Sequence, residues 1–429
     1  MDHFRISRLE VNNIGPFGHL ELDFPEKPAG MTDRAEIHVL TGENGTGKTT
    51  VLEMLVLTIR LNQSDVFLSN KFKKQGEQSN VKVDFGEQGG SFRFYQNMNP
   101  NLWSFPEGRF AKAFMNYHFD FSKNKEFSVA FFAYSGYRRI EEVSISGIEE
   151  LNGDPFSGSL DFQKSIHPQT ILQWIANTIM KEALAKNQSD VTAANRFRTA
   201  ISNLEGIISQ IIEKPVRFDL KYEPLNVVIE VDKEPLDFNI LPDGLKSIVS
   251  WIADLLMRMD RVKWENDTPV FERNFILFLD EIEVHLHPAW QRKILPAVQK
   301  LFPNAQIFIS THSPFVVGSV DGAWIHKFVK PNGDSRLAGP PILSEDAKSF
   351  RYWLDEVFDI KKEFGEGAQG QLDKFYLLRN RLLVNGTPQE REEFIRLATS
   401  LISQSLEMES IISMELRQLN KRIQQPVVI

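Results

Sequence analysis

The stretch GENGTGKTT, residues 42–50, meets the pattern G-x-x-x-x-G-K-[ST] at every fixed position. Such a loop turns its backbone N–H groups toward phosphate oxygens, and it needs a strand to deliver the chain and a helix to carry it away. Both flanks are present. AEIHVL (35–40) is a short β-favouring run, and TTVLEMLVLTIR places Leu52, Leu55, Val56 and Ile59 on one side of a helix. An α/β core with this loop at a strand's carboxyl end is therefore expected. The loop alone leaves the enzyme class open. A carboxylate to hold Mg²⁺, a base to activate water and a group to sense a terminal phosphate must come from elsewhere in the chain.

FILFLDEIEVHLHP puts Asp280 and Glu281 at the end of an apolar strand. A carboxylate there can hold Mg²⁺ beside the loop threonine, and a second one can orient and deprotonate the attacking water. Strands often end in charged residues simply because the chain meets solvent, so the pair decides little by itself. AQIFISTHSP follows, a second apolar strand ending in Thr311-His312-Ser313, where an imidazole could hydrogen-bond a γ-phosphate. Both strands are apolar almost throughout, as parallel strands covered on both faces tend to be. Asp280 lies 232 positions beyond Lys48, so a site made from them joins sequence-distant halves.

The remaining segments sort into elements. FRISRLEVNNIGPFGHLELDF (4–24) reads as two strands around a turn at Gly15-Pro16, and NVKVDF with SFRFYQ as a hairpin across GEQGG. Residues 141–214 begin turn-rich and continue as two amphipathic helices, PQTILQWIANTIMKEALA and VTAANRFRTAISNLEGIISQIIEK. PVRFDLKY and NVVIEV return to strand patterning, and KSIVSWIADLLMRMD is helical. Thr387-Pro388-Gln389-Glu390 is a capping box with proline at the first helical position. No Gly or Pro follows from Gln389 to Gln425, and apolar residues recur from Phe394 to Ile423. One helix of roughly 50 Å is predicted there, its stripe docked on the body of the protein or on a partner. The expected organisation is an N-terminal lobe (1–140), a helical insertion (141–214), a C-terminal lobe (215–345) and a helical partner or oligomerisation region (346–429).

Composition narrows the partners. A formal net charge of −8 argues against coating nucleic acid by bulk charge, leaving KFKKQGEQSNVKV and Arg138-Arg139 as local basic patches. The absence of cysteine removes disulfides, Cys-ligated zinc and thiol nucleophiles, and fits a reducing cytoplasm. MDHFRISRLEV lacks the pattern of a signal peptide, and no apolar run approaches the ~20 residues of a membrane span. A cytoplasmic location without membrane contact is expected. His285 and His287 in VHLHP supply only two ligands, so a structural role is expected for them rather than metal binding.

In its order of loop, long intervening region, acidic pair, strand and histidine, the chain resembles the ABC-type ATPase superfamily. It is most similar to the soluble branch containing RecF proteins, structural-maintenance-of-chromosomes (SMC) heads and overcoming-lysogenization-defect (OLD) ATPases. LEVNNIGPFGHLELDF resembles that branch's N-terminal strand pair, DEIEVHLHP its Walker B and D-loop segment, and STHSP its H-loop, over residues 4–330. The resemblance implies an ABC-ATPase head, a mixed sheet with a P-loop core plus an antiparallel β subdomain, with a helical insertion and a helical C-terminal extension. It implies ATP and Mg²⁺ as cofactors. Carried over by position, Gly42, Glu43, Asn44, Gly45, Thr46, Gly47, Lys48, Thr49 and Thr50 contact the phosphates, with Lys48 on the β/γ-phosphates. Thr49 and Asp280 hold Mg²⁺, Glu281 is the general base and His312 senses the γ-phosphate. Asn13 in the strand pair joins the nucleotide contacts, and Arg138 or Arg139 in AYSGYRR, at the Q-loop position, meets nucleotide or a neighbouring subunit.

One motif departs from that pattern. Leu241-Pro242-Asp243-Gly244 stands where the branch has Leu-Ser-Gly-Gly, whose serine reaches the other subunit's γ-phosphate in a head-to-tail ATP-sandwich dimer or higher oligomer. Asp243 and Gly244 with the helix start remain for that contact, Pro242 removes the hydroxyl, and Lys246 or Ser247 would have to compensate. Slow hydrolysis is expected. SEDAKSFRYWLDEVFDI and the capped helix resemble the C-terminal part of PtuA-type ATPases of Septu anti-phage systems, also found in some retrons. That resemblance implies a separate HNH nuclease (PtuB-like) as partner, or a retron reverse transcriptase with its msDNA, with nucleic acid met through the partner. The Asp-x-Asp of the OLD nucleases is absent after His312, so no nuclease site of its own is expected. A RecF-like DNA-repair ATPase is the alternative, and a transporter subunit is disfavoured by the altered signature, the insertion and the extension.

Overall fold

Five mutually parallel strands form the spine of the protein: β3 (Glu36–Gly42), β6 (Ala130–Ser135), β10 (Phe275–Asp280), β11 (Ala305–Ser310) and β12 (Trp324–Val329). The computed structural model describes residues 4–59, 79–86, 91–95, 126–136, 144–145, 147–162, 166–265, 268–423 and 426–427. Within the sheet the order is β13-β12-β3-β11-β10-β6, where the short β13 (Arg336–Leu337) pairs antiparallel to β12 and so does β14 (Ile342–Leu343). β10 and β11 are buried at every residue. Their unbroken apolar runs follow from that, since a strand covered on both faces has no side left for alternation.

A second, antiparallel sheet has the order β2-β1-β4-β5, built from β1 (Arg8–Ile14), β2 (Phe17–Asp23), β4 (Asn80–Asp84) and β5 (Ser91–Tyr95). Helix α1 (Lys48–Ile59) fills the space between the two sheets. Val51, Leu52, Leu55, Val56 and Ile59 share one core with Leu9, Val11, Leu20 and Leu22 of the hairpin and with Ile276, Phe278 and Phe308 of the parallel sheet. Burial at roughly 1.5–3 kcal/mol per large aliphatic side chain makes this helix, and hence the loop before it, a fixed part of the core. Helices α2 (Pro168–Asn187) and α3 (Val191–Ile212) pack on each other, followed by the meander β7 (Val216–Tyr222), β8 (Leu225–Val231) and β9 (Glu234–Asp237), and by α4 (Asp243–Arg261). No helix among the described residues is long and apolar enough to cross a membrane.

The chain divides after Trp353 into two units, Met1–Trp353 and Leu354–Ile429. The second corrects the expectation of one long C-terminal helix. Its helices are α7 (Glu366–Val384), α8 (Pro388–Ile402) and α9 (Leu406–Asn420), counting Pro288–Leu301 as α5 and Pro314–Val317 as α6. The capping box at Thr387 and Glu390 starts α8, but Ser405 opens a new helix by accepting from Met408 N. A serine side chain that competes for backbone N–H groups breaks a helix without any Gly or Pro. The apolar stripe then folds back on itself: Phe375, Phe394, Leu401, Met408, Ile412 and Leu419 form one core inside this unit.

A polar cluster is buried in the first unit. His38 of β3 bridges Glu36 (3.0 Å) and His326 of β12 (3.2 Å), while Arg5 donates to Glu36 and Gln306 reaches it at 2.6 Å. Burial alone would raise Glu36, but the hydrogen bonds and charges of His38 and Arg5 outweigh it and hold the carboxyl at about 2. Burial pushes His38 down against the pull of Glu36, and it pushes His326 well below the ordinary value, so His326 stays neutral in the folded chain. The unfolded chain binds the His326 proton at the ordinary value, so this stability is present above about pH 6.5 and is lost as pH falls below it. The stability of the intact chain should therefore fall by about 1.4 kcal/mol per pH unit between pH 6 and 5 on account of His326. Urea melts checking His326→Leu should show a shallower slope; an unchanged slope removes His326 as a contributor.

Candidate functional site

Strand register assembles the site. One row of Cα partners runs Leu40, Ser310, Asp280 and Ser135 across β3, β11, β10 and β6. The residues that follow this row are the P-loop, Thr311-His312, Glu281 and Gly136, so all four segments leave the sheet at its carboxyl edge, side by side. That edge is where open parallel sheets bind ligands.

The loop's shape depends on its glycines. Gly42 has φ +141° and any β-carbon there would overlap the Phe328 carbonyl oxygen; Gly47 has φ +95° and a β-carbon would lie 2.6 Å from both Pro16 and Phe17. Glu43, Asn44 and Gly45 form the exposed tip, and Thr46 is buried beneath it with its hydroxyl on the Glu43 carbonyl at 2.8 Å. The Lys48 amine lies against the loop's own backbone, donating to the carbonyls of Gly42 and Glu43 at 2.9 Å each. Thr49 Oγ1 faces Asp280 at 2.9 Å from Oδ1 and 3.2 Å from Oδ2. Thr50 packs against the turn at Gly15, which ties the loop to the β1–β2 hairpin.

Charge binds the cluster together. Burial lowers Lys48 to about 8 while Glu281, Asp280 and Glu283 oppose the shift. Glu281 is pushed up by burial and by Asp280, against Lys48. His312 is pushed down by burial and by Lys48, with Asp280 acting the other way, and is held toward the neutral imidazole. Glu281 adopts φ +50°, a left-handed conformation that costs a non-glycine residue energy and persists only when its surroundings impose it. Those surroundings are visible. Glu281 N donates to both the carbonyl (3.1 Å) and the hydroxyl (3.0 Å) of Ser310, and the same hydroxyl donates to Asp280 Oδ1. Ser310 therefore holds both acidic residues, a role that motif reading missed. Its only sequence signal was a hydroxyl residue closing an apolar strand, and the pairing that gives it meaning is not local.

On the other side, Gly136 N donates to the Asp280 carbonyl at 2.5 Å, and a β-carbon on Gly136 would overlap the Glu281 carbonyl oxygen. Gly136→Ala should displace the turn at Glu281 and lower steady-state phosphate release by about tenfold with ATP affinity within about twofold. Unaltered turnover would show that the turn tolerates the displacement.

Not every candidate converges. Asn13 is buried at φ +56° and its Nδ2 donates to Ser79 Oγ at 3.1 Å. Asp243 is exposed at the N-terminus of α4, while Gly244 is buried where a β-carbon would lie 2.6 Å from the His285 carbonyl oxygen, so this glycine seats the helix against the D-loop. Lys246 donates to the Asn239 carbonyl and Ser247 is buried within α4. His287 Nδ1 accepts from Ala289 N at 3.3 Å and caps α5. Arg138, Arg139 and most of the basic segment 71–83 lie outside the described residues.

The hard oxygen donors of Thr49 and Asp280, facing each other across one short gap, fit a magnesium ion that completes its shell with phosphate and water. The loop above them, lined by backbone N–H groups and Lys48, fits the triphosphate that would bring it. Fold and site together define a P-loop ATPase. The family model described as "AAA domain, putative AbiEii toxin, Type IV TA system" matches residues 37–318, and the chain belongs to this family. It is similar to "Retron Ec83 probable ATPase" of Escherichia coli, 20% identical over 406 residues, covering 77% of this chain and 73% of that one. It is also similar to "Septu protein PtuA" of Bacillus thuringiensis, 23% identical over 324 residues, with 73% and 72% covered. Among solved structures, an SMC head bound to the C-winged helix domain of ScpA aligns at 13% identity and a TM-score of 0.48, over 80% of this chain and 99% of that one.

Proposed function

We propose that this ATPase binds Mg²⁺–ATP at the carboxyl edge of the parallel sheet, hydrolyses it slowly, and uses its nucleotide state to hold or release a partner nuclease in anti-phage defence. One observation carries the catalytic part: Lys48, Thr49, Asp280, Glu281 and His312, contributed by three separated segments, act on one another in a single cluster. The relatives named Septu PtuA and retron ATPase support the defence setting.

The steps follow from these residues. Backbone N–H groups of residues 43–48 and the positive end of α1 bind the phosphates. Lys48 exchanges the carbonyls of Gly42 and Glu43 for β- and γ-phosphate oxygens, which restores the charge that burial disfavours. Thr49 and Asp280 would hold Mg²⁺, which when bound neutralises phosphate charge. Glu281, its proton affinity raised by burial, orients a water in line with the γ-phosphorus and takes its proton. Neutral His312 donates a hydrogen bond to the γ-phosphate and reports its presence. A head-to-tail sandwich of two copies would bring α4 of one to the other's nucleotide, and with Pro242 in place of a serine that contact has a helix terminus but no hydroxyl, consistent with slow turnover.

Reconstitution tests the switch. The chain is purified with a PtuB-like HNH nuclease, and plasmid cleavage is followed without nucleotide, with ATP and with ADP. The expected result is a cleavage rate that differs at least severalfold between ATP and the nucleotide-free state. Equal cleavage in all three states would sink the nuclease-switch reading while leaving the ATPase assignment intact.

A further inference from the structure

The third carboxylate of the Asp280–Glu283 run has no part in the chemistry described so far. Glu283 is half-buried, and its Oε1 accepts the His312 backbone N–H at 2.6 Å. Its other oxygen, Oε2, is buried and has no hydrogen-bond partner among the described residues. A buried carboxylate oxygen without a hydrogen bond is costly. What Glu283 does achieve is geometric. Glu281 and Glu283 belong to one tight turn, in which Val284 N returns to the Glu281 carbonyl at 3.2 Å and Leu286 N to the Glu283 carbonyl at 3.0 Å. A second strut runs parallel: Ser313 Oγ donates to Gln291 Oε1 at 2.6 Å, and Gln291 Nε2 donates to the Leu286 carbonyl at 2.9 Å. The turn that carries Glu281 is thereby fastened to the segment that carries His312.

We infer that Glu283 is a positioning residue that fixes the γ-phosphate sensor relative to the general base. It acts through the backbone of His312. Because the turn also abuts Gly136 and Gly244, any displacement of the 281–287 segment is passed to His312 through this carboxylate. The inference rests on the roles proposed above for Glu281 and His312.

Steady-state hydrolysis by the full chain tests it with four variants. Glu283→Met keeps the volume and removes the acceptor, and kcat should fall about tenfold with KM for ATP within about twofold, as misplacement rather than lost binding would give. Glu283→Gln keeps an acceptor oxygen and should restore most of kcat; a loss equal to that of the Met variant would overturn the inference. If the Met variant does not fold, Glu283→Asp, which keeps the acceptor on a shorter arm, should show an intermediate loss, and wild-type turnover there would also overturn it. His312→Ala completes the cycle: in that background Glu283→Met should cost less than about twofold more. A full additional loss shows that Glu283 does not act through His312. If His312→Ala alone leaves turnover unchanged, the sensor assignment itself fails, a separate and recognisable outcome.

Discussion

Glu281→Gln is expected to lower steady-state ATP hydrolysis by about a hundredfold or more while ATP affinity stays within about threefold. The amide matches the carboxylate in shape, so the left-handed turn and both bonds from Glu281 N to Ser310 survive, as does the Thr49–Asp280 pair. Only the ability to take a proton is lost. General-base catalysis contributes about 10²–10⁴ in rate, which sets the size of the effect. Loss of a negative charge close to Lys48 would, if anything, favour the triphosphate. The arrested complex should therefore persist with ATP bound, and size-exclusion chromatography with ATP should show a larger species than without. Turnover at the wild-type rate would remove Glu281 as the base and leave the role to another group.

Lys48→Ala should reduce ATP affinity by about a hundredfold, read by titration with a fluorescent ATP analogue. In the proposed site the lysine meets the terminal phosphates, and charge-assisted hydrogen bonds contribute about 1.5–3 kcal/mol. The substitution also removes the donor that occupies the carbonyls of Gly42 and Glu43, which lie near the surface and can take water instead. A small change in thermal midpoint with a large loss of binding is the combination expected. Wild-type affinity in this variant would contradict the placement of the triphosphate over the loop.

The legible parts of this protein were those whose physics is local. The P-loop spacing, the apolar runs of β10 and β11, the turn at Gly15-Pro16 and the capping box at Thr387 each depend on neighbours within a few residues. The C-terminal break was not legible in the same way. Ser403, Gln404 and Ser405 are tolerable inside a helix, and only a separate core around Phe375 and Phe394 made folding back preferable to one extended rod. The same holds for Asn13 and Lys246, whose polar groups are directed to Ser79 and to the Asn239 carbonyl by packing that no motif encodes.

The sequence by itself determined that a phosphate-cradling loop, two acidic residues at a strand end and a histidine after a strand exist in one α/β chain, because each is a contiguous pattern with its own chemistry. Tertiary structure decided that Leu40, Ser310, Asp280 and Ser135 share one row of the sheet, and with that which side chains stand within reach of one another. The reason is that strand register is chosen by burial over the whole sheet: a slip of one residue would turn every apolar side chain to the wrong face, and residues hundreds of positions apart are aligned as a consequence.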